Sequence, residues 1–229
     1  AHKVEYALAA LLLMGLTMVA SQVDARYFYG NQIALITFLL IYAGRRILKS
    51  KKTIPVFFSH VGIAMVLALL GSYYHFIGNS TMGIHLLHVG ATLLLVLGIG
   101  TRFFSFLSGL PSAFENLMSA PESSGVSVTM SRSLRALFHV SGVLMAIFLF
   151  LAGSGMSIAY LGLTALSLVY LFVIWKIQRP SQRPSPLKYG VRIVALMIPS
   201  SFFMTWLQPG MYITWFHLLF MGCFGLITF

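Results

Sequence analysis

The residues in this chain best suited to chemistry are its histidines. Neutral imidazole is the commonest protein ligand for haem iron, copper and zinc. Of the 7 histidines, His75, His85, His88 and His217 stand near the ends of apolar stretches. His85 and His88 are at i and i+3, which on an α-helix puts them on nearly one face. That spacing allows two ligands to one metal, or one ligand and one orienting partner. His60 and His139 are expected to be interfacial hydrogen-bonding residues, and His2 is terminal and uninformative. Other chemistries have no residues to rest on. The single cysteine, Cys223, permits no internal disulfide and no CxxC motif. HExxH, a phosphate-binding Gly-rich loop, a nucleophile elbow and paired carboxylates are all absent from the sequence.

The elements that must position these histidines follow from composition. Of 229 residues, 59% are hydrophobic and 8% charged, with a mean hydropathy of +0.90. A soluble domain carries roughly 25% charged residues, so soluble enzymes, secreted disulfide scaffolds and disordered chains are excluded. An all-α polytopic membrane protein is expected. Eight apolar stretches, at about 4–22, 27–44, 54–77, 83–104, 134–153, 156–176, 189–207 and 211–229, each approach the ~20 residues that span a bilayer. Gly78-Asn79-Ser80, Gly153-Ser154-Gly155 and Pro209-Gly210 read as tight turns between neighbouring spans. On this reading His75, His85, His88 and His217 share one membrane layer, and intramembrane ionisable groups point to function.

The cations sort by side. Lys3, Arg45, Arg46, Lys49, Lys51, Lys52, Arg102, Arg132, Arg135, Lys176, Arg179, Arg183, Lys188 and Arg192 fall on one side of the eight-span arrangement. Arg26 alone falls on the other, beside Asp24. By the positive-inside rule, both ends of this segment are expected in the cytoplasm. The net charge of +11 therefore reads as topology, with contact to anionic lipid around 177–188, and no nucleic-acid partner is expected. Trp206, Trp215, Tyr73, Tyr74 and Tyr212 read as the aromatic belt of the opposite interface. With no initiator Met and an apolar end at Phe229, the segment reads as an internal piece of a longer protein.

At an offset of 132 residues the spans align one with five, through to four with eight. His85-Leu86-Leu87-His88-Val89-Gly90 then meets His217-Leu218-Leu219-Phe220-Met221-Gly222. The expected organisation is a parallel four-plus-four repeat: a first half, 1–104, a cytoplasmic linker, 105–133, and a second half, 134–229. The offset also predicts Arg or Lys at the position equivalent to Arg102, just past Phe229.

The stretch from His85 to Arg102, with its HLL opening and LGIGTR close, resembles a motif of the NnrS family. Trp215-Phe216-His217-Leu218-Leu219 and the Gly222-Cys223-Phe224-Gly225-Leu226 that follows are similar to that family's second such motif. Carried over residue by residue, the resemblance covers His85, Gly90, Arg102, His217 and Gly222. The family's double glycine is broken here by Ala91 and Cys223.

The resemblance implies a bacterial inner-membrane protein binding haem b and copper, with a role in denitrification and the response to nitric oxide. On that reading His85 and His217 are the haem ligands. His75 and His88 are alternates or copper ligands, and Thr81, Ser80 and Tyr74 are within reach to orient the haem ligands. Whether the protein acts as an enzyme is left open. Two readings from other classes stand beside this one. A metal-free carrier requires polar or broken helices at mid-membrane, whereas the spans here are apolar through their centres. A structural or assembly subunit predicts that His85→Ala and His217→Ala change no activity.

Overall fold

The computed structural model describes residues 24–49, 56–108, 132–180 and 186–220, with isolated positions 12, 15, 16 and 19 before them. All the elements among these residues are helical. Expected span one apart from those four positions, the middle of the linker and the last nine residues, Cys223 among them, lie outside the described residues.

Helix α1, Ala25–Lys49, starts where the Asp24 carboxylate accepts the backbone N–H of Arg26 at 2.8 Å. It ends with Arg46 and Lys49 in its last turn, so both termini carry the charge that the helix dipole favours. Helix α2, Phe58–Phe76, stops at Gly78, whose φ of +86° suits a residue without Cβ. Asn79 then caps the next segment, its side-chain oxygen accepting from Met82 N at 3.1 Å.

That segment is one long rod in three parts: α3, Ser80–Gly83, a π-helical stretch, Ile84–Ala91, and α4, Thr92–Ser108. Helix α5, Arg132–Gly153, turns at Gly155 (φ +96°) into α6, Ile158–Val169, which runs on through a π-helical turn, Tyr170–Ile174. Helices α7, Pro186–Ala195, and α8, Met197–Leu207, are two parts of one rod. The break at Leu196 precedes Pro199, which has no N–H to offer the Ala195 carbonyl. A 3₁₀ turn, Pro209–Met211, leads to α9, Tyr212–His217.

Four stretches of the described residues are long and apolar enough to cross a membrane: Arg26–Lys49, Ser80–Thr101, Arg132–Gly153 and Lys188–Leu207. This is a smaller set than the eight spans expected. The sixth, Ile158–Ile174, is apolar but a shorter helix. The third, α2, carries His60, Ser72, Tyr73, Tyr74 and His75 within 19 residues, which dilutes its apolar character.

The rods alternate in direction. Tyr29, early in α1, stacks on His75, late in α2 (centroids 4.3 Å). His139, early in α5, hydrogen-bonds Ser59, early in α2, at 2.9 Å. Arg192 Nη1 donates to the Arg179 carbonyl at 2.8 Å. One end of the bundle thus holds Arg45, Arg46, Lys49, Arg132, Arg135, Lys176, Arg179, Lys188 and Arg192, while Arg26 lies at the other.

The core between the ends is tight. At the basic end Phe104 stacks on Trp175 at 4.0 Å, and the Trp175 indole N–H donates to Thr101 Oγ1 at 3.0 Å. Tyr170, fully buried, donates to the Leu97 carbonyl at 2.9 Å. Lower in the bundle, a side chain at Gly71 would collide with the backbone of Leu87. That glycine brings α2 directly onto the π-helical stretch.

Candidate functional site

The end opposite the cations holds the four histidines singled out from the sequence, distributed over α2, the π-helical stretch and α9. The π winding decides how they are shared. An α-helix advances about 100° per residue. The i→i+5 bonding of a π-helix spreads each turn over more residues, so three steps no longer return to the same face. His85 and His88 are therefore separated: His85 is buried (2% exposed) and His88 is exposed. The shared face expected from their i, i+3 spacing is not formed.

His85 is held at both nitrogens. Its Nδ1 lies 2.8 Å from the Thr81 carbonyl, an oxygen that only accepts, so Nδ1 carries the proton. Nε2 is then the lone-pair nitrogen and accepts the Tyr160 hydroxyl at 2.5 Å. Phe216 meets the ring edge-on at 5.5 Å and Tyr212 lies over it at 5.9 Å. Of the orienting residues expected, Thr81 supplies the contact, through its backbone. Tyr160 had no signal in the sequence, since a tyrosine 75 positions away in another apolar helix carries no periodicity linking it to His85.

His217 repeats part of this arrangement 132 residues later. Its Nδ1 lies 2.8 Å from the Ile213 carbonyl, four residues back as in His85, so Nδ1 donates and Nε2 keeps the lone pair. The helix turns to π-type winding at Leu218. His217 itself is exposed, and its neighbour Phe216 is the residue that meets His85.

His75 and His88 come together. Their ring centroids are 5.5 Å apart at 64°. His75 Nε2 is buried without a hydrogen-bond partner. Its ring lies between the face of Tyr29 and Gly83, where any side chain would collide with it. Gly83 admits the His75 ring, and Gly90 admits Leu67 and Leu149. Among the described residues no group of three or more His, Cys, Asp or Glu converges on one point.

His60 departs from the interfacial role expected of it. It is fully buried, with neither ring nitrogen hydrogen-bonded. Phe138 lies 4.0 Å away, and Gly98 and Gly142 close on either side. His139 keeps the hydrogen-bonding role expected of it, through Ser59.

Against known proteins, residues 2–229 match the family described as NnrS protein. The chain belongs to the NnrS family. No curated protein matches it and no solved structure matches it. Membership in NnrS covers nearly the full chain, well beyond the two motifs that carried the resemblance.

The groups this family implies can be tested against the side chains. A histidine that binds a metal normally donates its other N–H to a carbonyl or carboxylate, which fixes ring and tautomer. His85 and His217 both meet that condition. His217, on an exposed face, fits a bulky macrocycle. His85 does not fit one as packed: Tyr160 occupies its lone pair, and Tyr212 and Phe216 enclose the ring. His75 and His88 bring two imidazoles, a donor type that late transition metals take, into contact with each other.

Proposed function

We propose that this NnrS protein is a haem- and copper-binding component of a bacterial inner membrane that acts in the response to nitric oxide. The basic end faces the cytoplasm, as the positive-inside rule requires. The histidine end faces outward, near the membrane surface, where a small neutral gas that crosses lipid freely can reach it. The carrying observation is the recurrence, at positions 132 residues apart, of a histidine whose Nδ1–H is bonded to the carbonyl four residues before it. That device leaves Nε2 as the metal-binding nitrogen at two equivalent places, which also supports the parallel four-plus-four repeat. Helix pairing agrees with the repeat: α1 packs on α2, and α6, its equivalent, packs on α8.

In this reading His217 would hold haem iron from the exposed face, while His85, the equivalent residue, stays bonded to Tyr160. His75 and His88 would be the residues to hold copper. Haem, when bound, would supply an iron centre able to take nitric oxide. The chain's own residues fix the imidazole tautomers, exclude water from His85 and keep the two nitrogen pairs apart. Nitric oxide titrated into reduced full-length protein shifts the Soret band, and a strain lacking the gene is rescued from nitrosative stress by wild type and not by His217→Ala. No Soret shift on titration, with equal rescue by both, contradicts the proposal.

A further inference from the structure

We infer that Tyr160 is a redox-active tyrosine, giving one electron to a small radical oxidant of the nitrogen dioxide class while its proton passes to His85. The inference rests on the proposed function only for the source of the oxidant, since nitrogen dioxide forms where nitric oxide meets oxygen.

The contrast between two buried tyrosines carries it. A phenol that loses an electron becomes a strong acid, so a tyrosine in a core is readily oxidised only where a base takes the proton. Tyr170 is fully buried, and its hydroxyl meets the Leu97 carbonyl at 2.9 Å and Thr101 Oγ1 at 2.8 Å. A carbonyl and a hydroxyl accept hydrogen bonds, yet neither holds an extra proton near neutral pH. Tyr160, 6% exposed, bonds instead to an imidazole nitrogen at 2.5 Å. The Thr81 carbonyl fixes the His85 proton on Nδ1, so the lone pair on Nε2 faces the phenol. Imidazole is a base of the strength that proton shuttles use. After the transfer, the imidazolium keeps its Nδ1–H bond to Thr81.

The step balances in atoms and electrons. Tyr160 gives its electron to nitrogen dioxide, which leaves as nitrite, and the phenol proton moves along the existing hydrogen bond to Nε2. No bond between heavy atoms forms or breaks, and the products are a neutral phenoxyl and an imidazolium. A one-electron reductant such as ascorbate resets the pair, the proton returning from Nε2 to the phenoxyl oxygen.

The electron also has a route out. Tyr212, half-buried in α9, lies 5.9 Å from the His85 ring and 5.8 Å from Phe216. Phe216 in turn lies 6.5 Å from Tyr160. These neighbouring rings join the buried phenol to the histidine end of the bundle, so the oxidant need not enter the core.

The test uses full-length protein in detergent, with nitrogen dioxide generated by pulse radiolysis of nitrate. The expected result is a long-lived tyrosyl radical by electron paramagnetic resonance, absent from Tyr160→Phe and retained in Tyr170→Phe. Histidine labelled with heavy nitrogen should alter the hyperfine structure of that signal, which identifies the site even if Tyr160→Phe does not fold. His85→Gln keeps a hydrogen-bond acceptor and removes the base, and should slow radical formation by about a hundredfold. A role in packing alone leaves that rate unchanged. A radical that persists in Tyr160→Phe, one that forms equally fast in His85→Gln, or no long-lived radical in wild type overturns the inference. A haem spectrum without this radical removes this inference alone; the radical in a protein that binds neither haem nor copper removes the proposed function and leaves the chemistry of the pair standing.

Discussion

The lone pair of His85 Nε2 is taken by the hydroxyl of Tyr160, 2.5 Å away and 75 residues later in the chain. This one bond ties the rod that carries the first histidine motif to α6. It also sets a condition on the chemistry, because a metal at His85 competes with Tyr160 for the same electron pair.

Tyr160→Phe should therefore destabilise the folded protein by roughly 1–3 kcal/mol, the cost of leaving a buried nitrogen unpaired. Thermal or denaturant unfolding in detergent checks it. A double substitution that also replaces His85 with an apolar residue should recover part of that loss. Equal stability of wild type and Tyr160→Phe contradicts the role given to the bond.

His60 and Gly142 give a packing prediction. A Cβ at Gly142 would lie 3.0–3.2 Å from three atoms of the His60 ring, which Phe138 and Gly98 already confine. Gly142→Ala is expected to cost about 1–3 kcal/mol by overpacking. In a His60→Ala background the same substitution should cost little, and a double-mutant cycle on melting temperatures reads the difference.

At the basic end, Trp175→Phe removes the indole donor to Thr101 and keeps most of the stack on Phe104. The expected loss is about 1 kcal/mol, the net worth of an ordinary hydrogen bond. A loss several times larger means that the Thr101, Tyr170 and Trp175 cluster acts as one unit.

Orientation is open to a labelling test. In a Cys223→Ser background, single cysteines at Ser154 and at Gln178 should react with a membrane-impermeant thiol reagent from opposite sides in intact cells. Ser154 should react from outside. Labelling of both from one side contradicts the alternation of the rods.

Much of the bundle was legible because burial in lipid leaves coarse marks. Apolar runs, turn residues such as Gly78 and Gly155, and the grouping of cations at one end follow from the cost of exposing charge or backbone to hydrocarbon. The distribution of the histidines within their layer was not legible. Spacing rules assume α-helical winding, and the π-helical stretch around His85 and His88 breaks that assumption. Nothing in the side-chain pattern marks a change in backbone hydrogen bonding, so the partnership of His88 with His75 could not be read. His60 escaped for another reason: Gly98 and Gly142 admit it to the core, and they lie in other helices.

The central claim, a haem and copper layer at the histidine end, is tested most directly by an optical spectrum of purified full-length protein, oxidised and dithionite-reduced, with metal analysis on the same sample. The account predicts a Soret band that sharpens and shifts on reduction and is lost in His217→Ala, together with bound copper. A featureless visible spectrum and no copper, with haem and copper supplied during expression, contradict it.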